Sequence, residues 1–299
     1  MRTVFLGTSE FAAAVLARLA DSPHRPQLVV TRPARPSGRG RKLTMPPVAL
    51  AAAELGIALA QPETVNDPES RRQIAAIEPD VLVVCAFGAL IKEPLLGEHE
   101  MLNVHPSLLA RWRGAAPIER AIIAGDSETG VSIMRVTAGL DSGPVCLAAR
   151  EPITPTDTYG SLSARLQKLG GELLLRALDE RPSFLEQDEA AATYAEKITA
   201  EDRLLDPAKP AEALERVVRA LHPHIGAKAM LADAAQIGVQ RAVVCSCPRA
   251  ADLAPGVRAH EERLLLVCEQ GCLQLLEVKP PGGSAMDAVA YLRGHRGRL

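Results

Sequence analysis

Residues 81–85 read VLVVC, and this short stretch decides the fold class of the chain. A run of apolar residues without polar alternation is typical of a strand that is buried on both faces inside a parallel sheet. Similar segments predict strands at 3–6, 27–31 and 101–104, and helical segments separate them. Strands that alternate with helices predict an α/β domain with a doubly wound, parallel-type sheet.

The same domain is predicted to continue well beyond these strands. Two more strands are expected at 130–136 and 144–149, and a helix with a stripe of leucines follows them. After residue 181 the sequence becomes polar and proline-bearing, which indicates a linker. The predicted divisions of the chain are an α/β domain, a linker and a second domain at 1–181, 182–210 and 211–299.

The second domain is predicted to be small and rich in β-structure. A helix at 211–221 precedes several short apolar segments that turn residues separate. These segments lie at 227–231, 242–245, 264–268 and 272–278. Short strands at such spacing favour a small β-barrel or sandwich.

The charge balance excludes a general affinity for nucleic acid. The 299 residues carry 34 Lys and Arg against 36 Asp and Glu, a net charge of −2. Any nucleic-acid partner must therefore be held by a local basic patch. The longest nearly apolar run, 81–91, is too short to span a bilayer, and polar residues interrupt the apolar start of the chain at residue 8. We therefore expect a cytoplasmic protein.

The six cysteines do not indicate a disulfide framework. Those late in the chain are Cys245, Cys247, Cys268 and Cys272. Their C-x-C and C-x-x-x-C spacings differ from the C-x-x-C spacing typical of zinc sites, although a zinc site stays an alternative. The simpler interpretation is reduced thiols packed in strands of a cytosolic protein, so no metal is expected.

The turn after the first predicted strand argues against a nicotinamide or flavin dinucleotide. It reads Gly7-Thr8-Ser9-Glu10 and contains a single glycine. The G-x-G-x-x-G pattern that lets a backbone approach a pyrophosphate is missing. The missing glycines therefore argue against a dehydrogenase of the Rossmann type.

Polar residues that can carry chemistry lie at the end of the predicted strand at 101–104. Asn103 and His105 are two positions apart, so their side chains point to one face at the carboxyl end of the strand, where such sheets place their sites. Asp141 lies between glycines in the segment 139–143, a loop from which it could reach His105. A histidine and a carboxylate form an acid–base pair, and an asparagine can donate to a developing oxyanion.

No obvious serine or cysteine nucleophile accompanies these residues. Ser107 lacks the strand–turn–helix context of a nucleophile elbow. We therefore expect direct transfer between two bound substrates rather than a covalent enzyme intermediate. The alternative is structural: a histidine satisfied at a strand end, an asparagine that caps a turn, and a common Asp-Ser-Gly turn.

A basic segment at 31–42 is the second candidate functional feature. No acidic residue occurs between positions 22 and 53. The cationic residues of the segment are Arg32, Arg35, Arg39, Arg41 and Lys42. A loop of this composition suits a phosphate backbone, and the alternative is a solvated surface loop.

Two stretches resemble the signature of a known enzyme family. Residues 103–114 and 139–143 are similar to the formyltransferases that use 10-formyltetrahydrofolate. Further stretches resemble those members of the family that act on methionyl initiator tRNA, in the same order over nearly the whole chain. These stretches are 4–11, 38–43, 61–63, 113–118 and 193–198.

The resemblance implies a fold, a reaction and partners. The fold is a Rossmann-like formyltransferase domain followed by a β-barrel of the OB-like kind that contacts tRNA. The reaction is transfer of a formyl group from 10-formyltetrahydrofolate to the α-amino group of methionyl initiator tRNA, in preparation for translation initiation. The protein is expected to act as a monomer, without a metal or a nicotinamide.

The resemblance also implies roles for individual residues. Asn103, His105 and Asp141 are the expected catalytic residues. The expected folate-contacting loop consists of Ser107, Leu108, Leu109 and Ala110. The basic segment, with Arg32, Arg35, Arg39, Arg41 and Lys42, is the expected grip on the tRNA acceptor arm. Ala110 stands where the family usually has proline, and residues 224–227 depart from the usual turn.

Other functions stay open at this point. A related formyltransferase that acts on an amino-sugar nucleotide or on glycinamide ribonucleotide would keep Asn103, His105 and Asp141 but would not need the basic segment. A non-enzymatic protein that binds folate or RNA would have no need of an acid–base pair.

Overall fold

The computed structural model describes residues 1–37, 42–246 and 253–295, and the chain forms two compact units. The first unit comprises Met1–Gly114, Glu128–Pro152 and Ser163–Ala195. The second comprises Ala115–Ser127, Ile153–Leu162 and Glu196–Leu299. The residues expected to form a linker are divided between the units at Ala195, and the domain boundaries of the sequence analysis stay a prediction.

The first unit contains most of the helices and a large sheet. Its strands are β1 (Thr3–Gly7), β2 (Pro26–Val30), β3 (Arg35–Ser37), β4 (Lys42–Thr44), β5 (Ala58–Ala60), β6 (Val81–Cys85), β7 (Met101–His105), β8 (Arg113–Gly114), β9 (Glu128–Arg135), β10 (Val145–Pro152) and β11 (Tyr194–Ala195). Its helices are α1 (Glu10–Ala20), α2 (Pro47–Glu54), α3 (Pro68–Ala76), α4 (Leu95–Glu98) and, from residue 163 onward, α6 (Tyr159–Glu180). Among the described residues, no helix combines the length and the apolar character needed to cross a membrane.

The main sheet of the first unit confirms the predicted fold class. Its strand order is β10-β9-β7-β6-β1-β2-β5. The five neighbouring strands β7, β6, β1, β2 and β5 are all parallel. The last two strands depart from this pattern, because β9 is antiparallel to β7 and β10 is antiparallel to β9. The loop between β9 and β10 is too short to hold the crossover helix that a parallel pair requires.

Apolar burial explains why these segments become strands. Every residue of β1 and β6 is buried, as the VLVVC stretch predicts for the middle of a covered sheet. On one face, Leu6 and Val84 pack with Ile74 of α3 and Leu95 of α4. Burying one such side chain stabilises the fold by about 1.5–3 kcal/mol, so a row of them holds the sheet to its helices.

The second unit is built around an antiparallel sheet. Its helices are α5 (Pro117–Ala124), α7 (Ala211–Leu221) and α8 (Ala288–His295). Its strands are β12 (Ala227–Met230), β13 (Gln236–Cys245), β14 (Gly256–His260), β15 (Arg263–Val267), β16 (Cys272–Lys279) and β17 (Met286–Asp287). The strand order is β12-β13-β16-β15-β14, and β17 pairs with β16.

This second sheet forms the curled half-barrel expected of the OB-like class. The register of β13 against β16 shifts on either side of Arg241, and such bulges bend a strand. Leu214, Val218 and Leu221 of α7, spaced at helical intervals, pack into the core of the sheet. The sequence analysis missed β14, whose residues mix polar and apolar types and carry no clear alternation.

An ion pair within the second unit joins α5 to the segment that precedes α7. Arg120 donates from Nη1 and Nη2 to the two carboxylate oxygens of Asp202, at 2.9 Å each. The backbone N–H of Thr199 donates to Asp202 Oδ2 at 2.9 Å. The hydrogen bonds from Arg120 are the main cause that lowers the pKa of Asp202 from 3.8 to about 2.

The substitution Asp202→Asn tests this pair. Because the folded-state pKa is lowered, the carboxylate stabilises the fold above its unfolded pKa, and this contribution is lost as pH falls toward 2. We expect Asp202→Asn to lower the free energy of unfolding by about 1–2 kcal/mol at pH 7, and the difference from wild type to shrink below pH 4. Denaturant unfolding at several pH values measures this, with Glu201→Gln as the control. A variant as stable as wild type at pH 7 would contradict it.

Candidate active site

The candidate site begins at the carboxyl end of β7. Asn103 and His105 point to one face of the strand, while Val104 between them is buried toward the other face with 1 % exposure. His105 is itself 4 % exposed, and Asn103 is half-buried. The alternation expected from the sequence therefore places an amide and an imidazole side by side at the edge of the sheet.

The structure brings Asp141 to these two side chains. Asn103 Nδ2 donates to Asp141 Oδ1 over 3.4 Å, and His105 Nδ1 lies 3.7 Å from Asp141 Oδ2. The backbone N–H of Gly114 donates to the same Oδ2 at 2.8 Å. All three candidate catalytic residues thus meet within one polar cluster, although Asp141 lies 38 positions from Asn103 in the sequence.

The hydrogen bond on the far side of the imidazole decides which nitrogen carries the proton. His105 Nε2 lies 2.8 Å from the carbonyl oxygen of Trp112. A carbonyl oxygen only accepts, so Nε2 carries a hydrogen and the neutral ring leaves Nδ1 unprotonated. Nδ1 therefore faces the Asp141 carboxylate as a proton acceptor, and it becomes a donor once it is protonated.

The backbone around the candidate site needs glycine at two positions, Gly143 and Gly114. Asp141 has φ +46°, a left-handed conformation that is uncommon for a residue other than glycine. A Cβ on Gly143 would clash with the carbonyl oxygen of Arg135, so the loop turns only with glycine there. Gly114 has φ +114°, and a Cβ on it would lie 2.9 Å from the carbonyl oxygen of Ala195.

A buried arginine supports the cluster, and the sequence analysis did not assign it a role. Arg113 is 1 % exposed and donates from Nη1 and Nη2 to Glu189 at 3.0 and 2.7 Å. The hydrogen bond with Glu189 raises the pKa of Arg113, and the same bond lowers the pKa of Glu189. The partner Glu189 lies in the region expected to be a linker, where no local pattern marks it.

The predicted folate-contacting loop follows β7 directly and is held by its own hydrogen bonds. Ser107 is fully buried, and its hydroxyl donates to the carbonyl oxygen of Arg111 at 2.6 Å. Ser132 on β9 donates to Ser107 O and accepts from the N–H of Leu109. Ala110 is also buried, whereas Leu108 and Leu109 are partly exposed.

The structure describes only part of the basic segment that is predicted to contact tRNA. Arg32 is half-buried, and its Nη1 donates to the carbonyl oxygen of Gly88 at 3.2 Å. Arg35 is exposed on the short strand β3. Arg39 and Arg41 lie outside the described residues, as does the side chain of Lys42.

The late cysteines belong to the second unit. Cys245, Cys268 and Cys272 are reduced thiols, and Cys247 lies outside the described residues. Burial raises the pKa of Cys268 to about 11. Within the described ranges, no group of three or more His, Cys, Asp or Glu side chains could hold a metal ion.

Models of two protein families match this chain. The family described as formyl transferase matches residues 1–178. The family described as formyl transferase, C-terminal domain, matches residues 197–296. Together the two models cover nearly all of both units.

A relative of assigned activity extends this match to nearly the full length. The methionyl-tRNA formyltransferase of Methylococcus capsulatus is 42 % identical over 302 residues, which cover 99 % of this chain and 97 % of that protein.

Solved structures share the fold. HypX from Aquifex aeolicus, in complex with tetrahydrofolic acid, gives a TM-score of 0.66 at 16 % identity over 98 % of this chain. The chain spans about half of HypX, 47 % of its length. The methionyl-tRNA formyltransferase from Clostridium thermocellum gives a TM-score of 0.59 at 14 % identity, over 82 % of this chain and 94 % of that one.

The substitution Gly114→Ala tests the close approach at β8. Gly56→Ala is the matched control, because Gly56 also has a positive φ but has no heavy atom within 4 Å of the position that an added methyl group would take. We expect Gly114→Ala to lower the free energy of unfolding by at least about 1 kcal/mol more than Gly56→Ala, since the added methyl group is crowded against Ala195 O and φ +114° lies further outside the left-handed region than the φ +65° of Gly56. Equal losses in denaturant unfolding would mean that the chain relaxes freely around Gly114.

Proposed function

This chain belongs to the formyl transferase family, and we propose that it transfers a formyl group from 10-formyltetrahydrofolate to the α-amino group of methionyl initiator tRNA. The observation that carries the proposal is the meeting of Asn103, His105 and Asp141 at the carboxyl edge of the sheet. The near full-length similarity to methionyl-tRNA formyltransferase supports the choice of acceptor. The product would serve translation initiation.

The reaction requires stabilisation of an oxyanion. The uncharged amine attacks the formyl carbon, a new C–N bond forms, and the carbonyl oxygen takes up negative charge. The amide nitrogen of Asn103 carries two hydrogens, and its contact with Asp141 uses one of them. The second hydrogen is available for the oxyanion, and such a donor contributes several kcal/mol to the transition state.

The reaction also requires that a proton leave the attacking amine. An α-amino group titrates near pH 8, so a modest base is enough. Nδ1 of His105 is unprotonated in the neutral ring, and Asp141 at 3.7 Å stabilises the imidazolium that forms when it accepts the proton. The protonated Nδ1 is then a second donor to the oxyanion. Collapse of the intermediate breaks the bond between the formyl carbon and the folate nitrogen, and that nitrogen leaves with the proton that His105 had accepted.

We propose that the loop after β7 contacts the folate co-substrate. The hydroxyl of Ser107 is committed to Arg111 O, so it serves to shape the loop. The partly exposed Leu108 and Leu109 offer apolar surface to an aromatic ring system, and the buried Ala110 packs beneath it. HypX from Aquifex aeolicus, part of which shares this fold, has been solved in complex with tetrahydrofolic acid, which is compatible with a folate co-substrate.

We propose that the basic segment grips the acceptor arm of the tRNA. Its cationic residues are Arg32, Arg35, Arg39, Arg41 and Lys42. Cations without neighbouring acids neutralise phosphates, and the net charge of −2 makes such a local patch necessary. The protein is proposed to act as a cytoplasmic monomer.

A formyl-transfer assay with several acceptors tests the proposal. Purified protein receives 10-formyltetrahydrofolate with charged initiator tRNA, charged elongator methionine tRNA, free methionine or an amino-sugar nucleotide. We expect transfer to the initiator tRNA and poor transfer to the others. Transfer to the sugar nucleotide instead would contradict the proposed acceptor but not the proposed chemistry, because a formyltransferase that acts on sugar nucleotides needs the same three side chains.

The substitution Asp141→Asn tests the acid–base role. The asparagine keeps the size of the side chain and removes the negative charge that stabilises protonated His105. We expect kcat to fall by about 10²–10⁴-fold while binding of the folate co-substrate survives. Steady-state kinetics and equilibrium folate binding measure the two effects, and a near-wild-type kcat would remove Asp141 from the mechanism.

The double substitution Arg39→Ala, Arg41→Ala tests the basic segment. We expect a higher KM for tRNA at low salt and a salt slope of log(kcat/KM) shallower by about one to two units, since each phosphate contact contributes about 0.9. Arg176→Ala, which removes an exposed arginine of α6, is the control. An unchanged KM for tRNA at every salt concentration would exclude the grip.

A further inference from the structure

Gln187 binds the Asp141 loop from outside the candidate site. Its Nε2 donates to the carbonyl oxygens of Asp141 at 2.9 Å and of Gly143 at 2.7 Å. Its Oε1 accepts from Arg113 Nε at 3.0 Å. Both hydrogens and the oxygen of this amide are therefore used, and two of the three bonds end on the loop that carries the carboxylate.

The chemistry of the partners determines how this amide is turned. Arg113 has only donors, so it must face the amide oxygen, whereas the two loop carbonyls only accept and must face the NH2 group. Glu189 accepts hydrogen bonds from Nη1 and Nη2 of Arg113, which fixes the position of the arginine beside Gln187. The orientation is thus set by a chain of bonds from Glu189 through Arg113 to Gln187.

The loop needs such support because its conformation is unfavourable. The left-handed backbone of Asp141 costs about 1–3 kcal/mol and persists only where the surroundings hold it. Gly114, the neighbour of Arg113, binds the Asp141 carboxylate with its N–H. Arg113 and Gly114 therefore act on the same loop. Arg113 acts through Gln187 on the loop backbone, and Gly114 binds the side chain of Asp141.

We propose that Gln187 is a positioning residue that sets the carboxylate of Asp141 against His105 and Asn103, with the Arg113–Glu189 pair locking its amide. This inference rests on the proposed function for its kinetic consequence. A displacement of about 1 Å at a reacting group lowers rates by about 10²-fold, so loss of the two loop bonds acts on kcat rather than on substrate binding.

The substitution Gln187→Glu is the sharpest test, since it keeps the shape and presents an oxygen to carbonyl oxygens that need a donor. Gln187→Ala removes the bonds without adding repulsion. Gln167→Ala is the matched control, because Gln167 is a half-buried glutamine of α6 with a single side-chain bond, to Ser163. We expect both Gln187 variants to lower kcat at least about tenfold, with both KM values within about threefold of wild type.

A double-mutant cycle separates positioning from a general structural role. In the Asp141→Asn background, Gln187→Ala is expected to cause no further loss of kcat, because it acts through the carboxylate that is already absent. Single-turnover assays at high enzyme concentration measure these slow rates. The same fold-loss in both backgrounds would overturn the proposal.

Hydrogen exchange tests the position of the loop without reference to activity. We expect the Gly114 amide and the amides of 139–143 to exchange at least about tenfold faster in Gln187→Ala than in wild type and in Gln167→Ala. Unchanged exchange would overturn the proposal even if the rate falls. If wild-type protein transfers no formyl group to any acceptor, the proposed function fails, and the exchange experiment still decides whether Gln187 holds the loop.

Discussion

The carboxylate of Asp141 is the group on which the rest of the candidate site depends, because it meets Asn103, His105 and the N–H of Gly114 at one edge of the sheet. Without it, the imidazole would be a buried ring with one satisfied nitrogen and no charge to balance a captured proton. The carboxylate is held on a strained backbone, so its position is stabilised by the surrounding structure rather than by the local chain.

The support for this carboxylate comes from segments that are remote in sequence. The short strands β8 and β11 pair in parallel, which brings residues 113–114 beside residues 194–195. This pairing places Arg113 near Glu189, and it requires a residue without a side chain at Gly114. The exposed Glu189 and the buried Arg113 thereby both support the candidate site, and Gly114 tolerates few substitutions.

Sequence analysis reached much of the fold and of the site for identifiable physical reasons. Continuous apolar runs mark covered strands, so β1 and β6 were predictable, and a two-residue period places Asn103 and His105 on one face of β7. The antiparallel direction of β9 and β10 is a different matter, because the side-chain pattern of a buried strand does not encode its direction. For β10 that direction follows from the short connection to β9, whereas for β9 it is set by its pairing with β7 in the folded sheet.

The sequence by itself determined the fold class, the candidate catalytic side chains and the family resemblance, because these depend on residue types at short spacings. Tertiary structure alone decided which nitrogen of His105 faces Asp141, that Arg113 is buried against Glu189, and that Gln187 binds the loop. These contacts join residues separated by long stretches of chain, and hydrogen-bond partners at such separations leave no periodic signal. Only the packed sheet brings them within bonding distance.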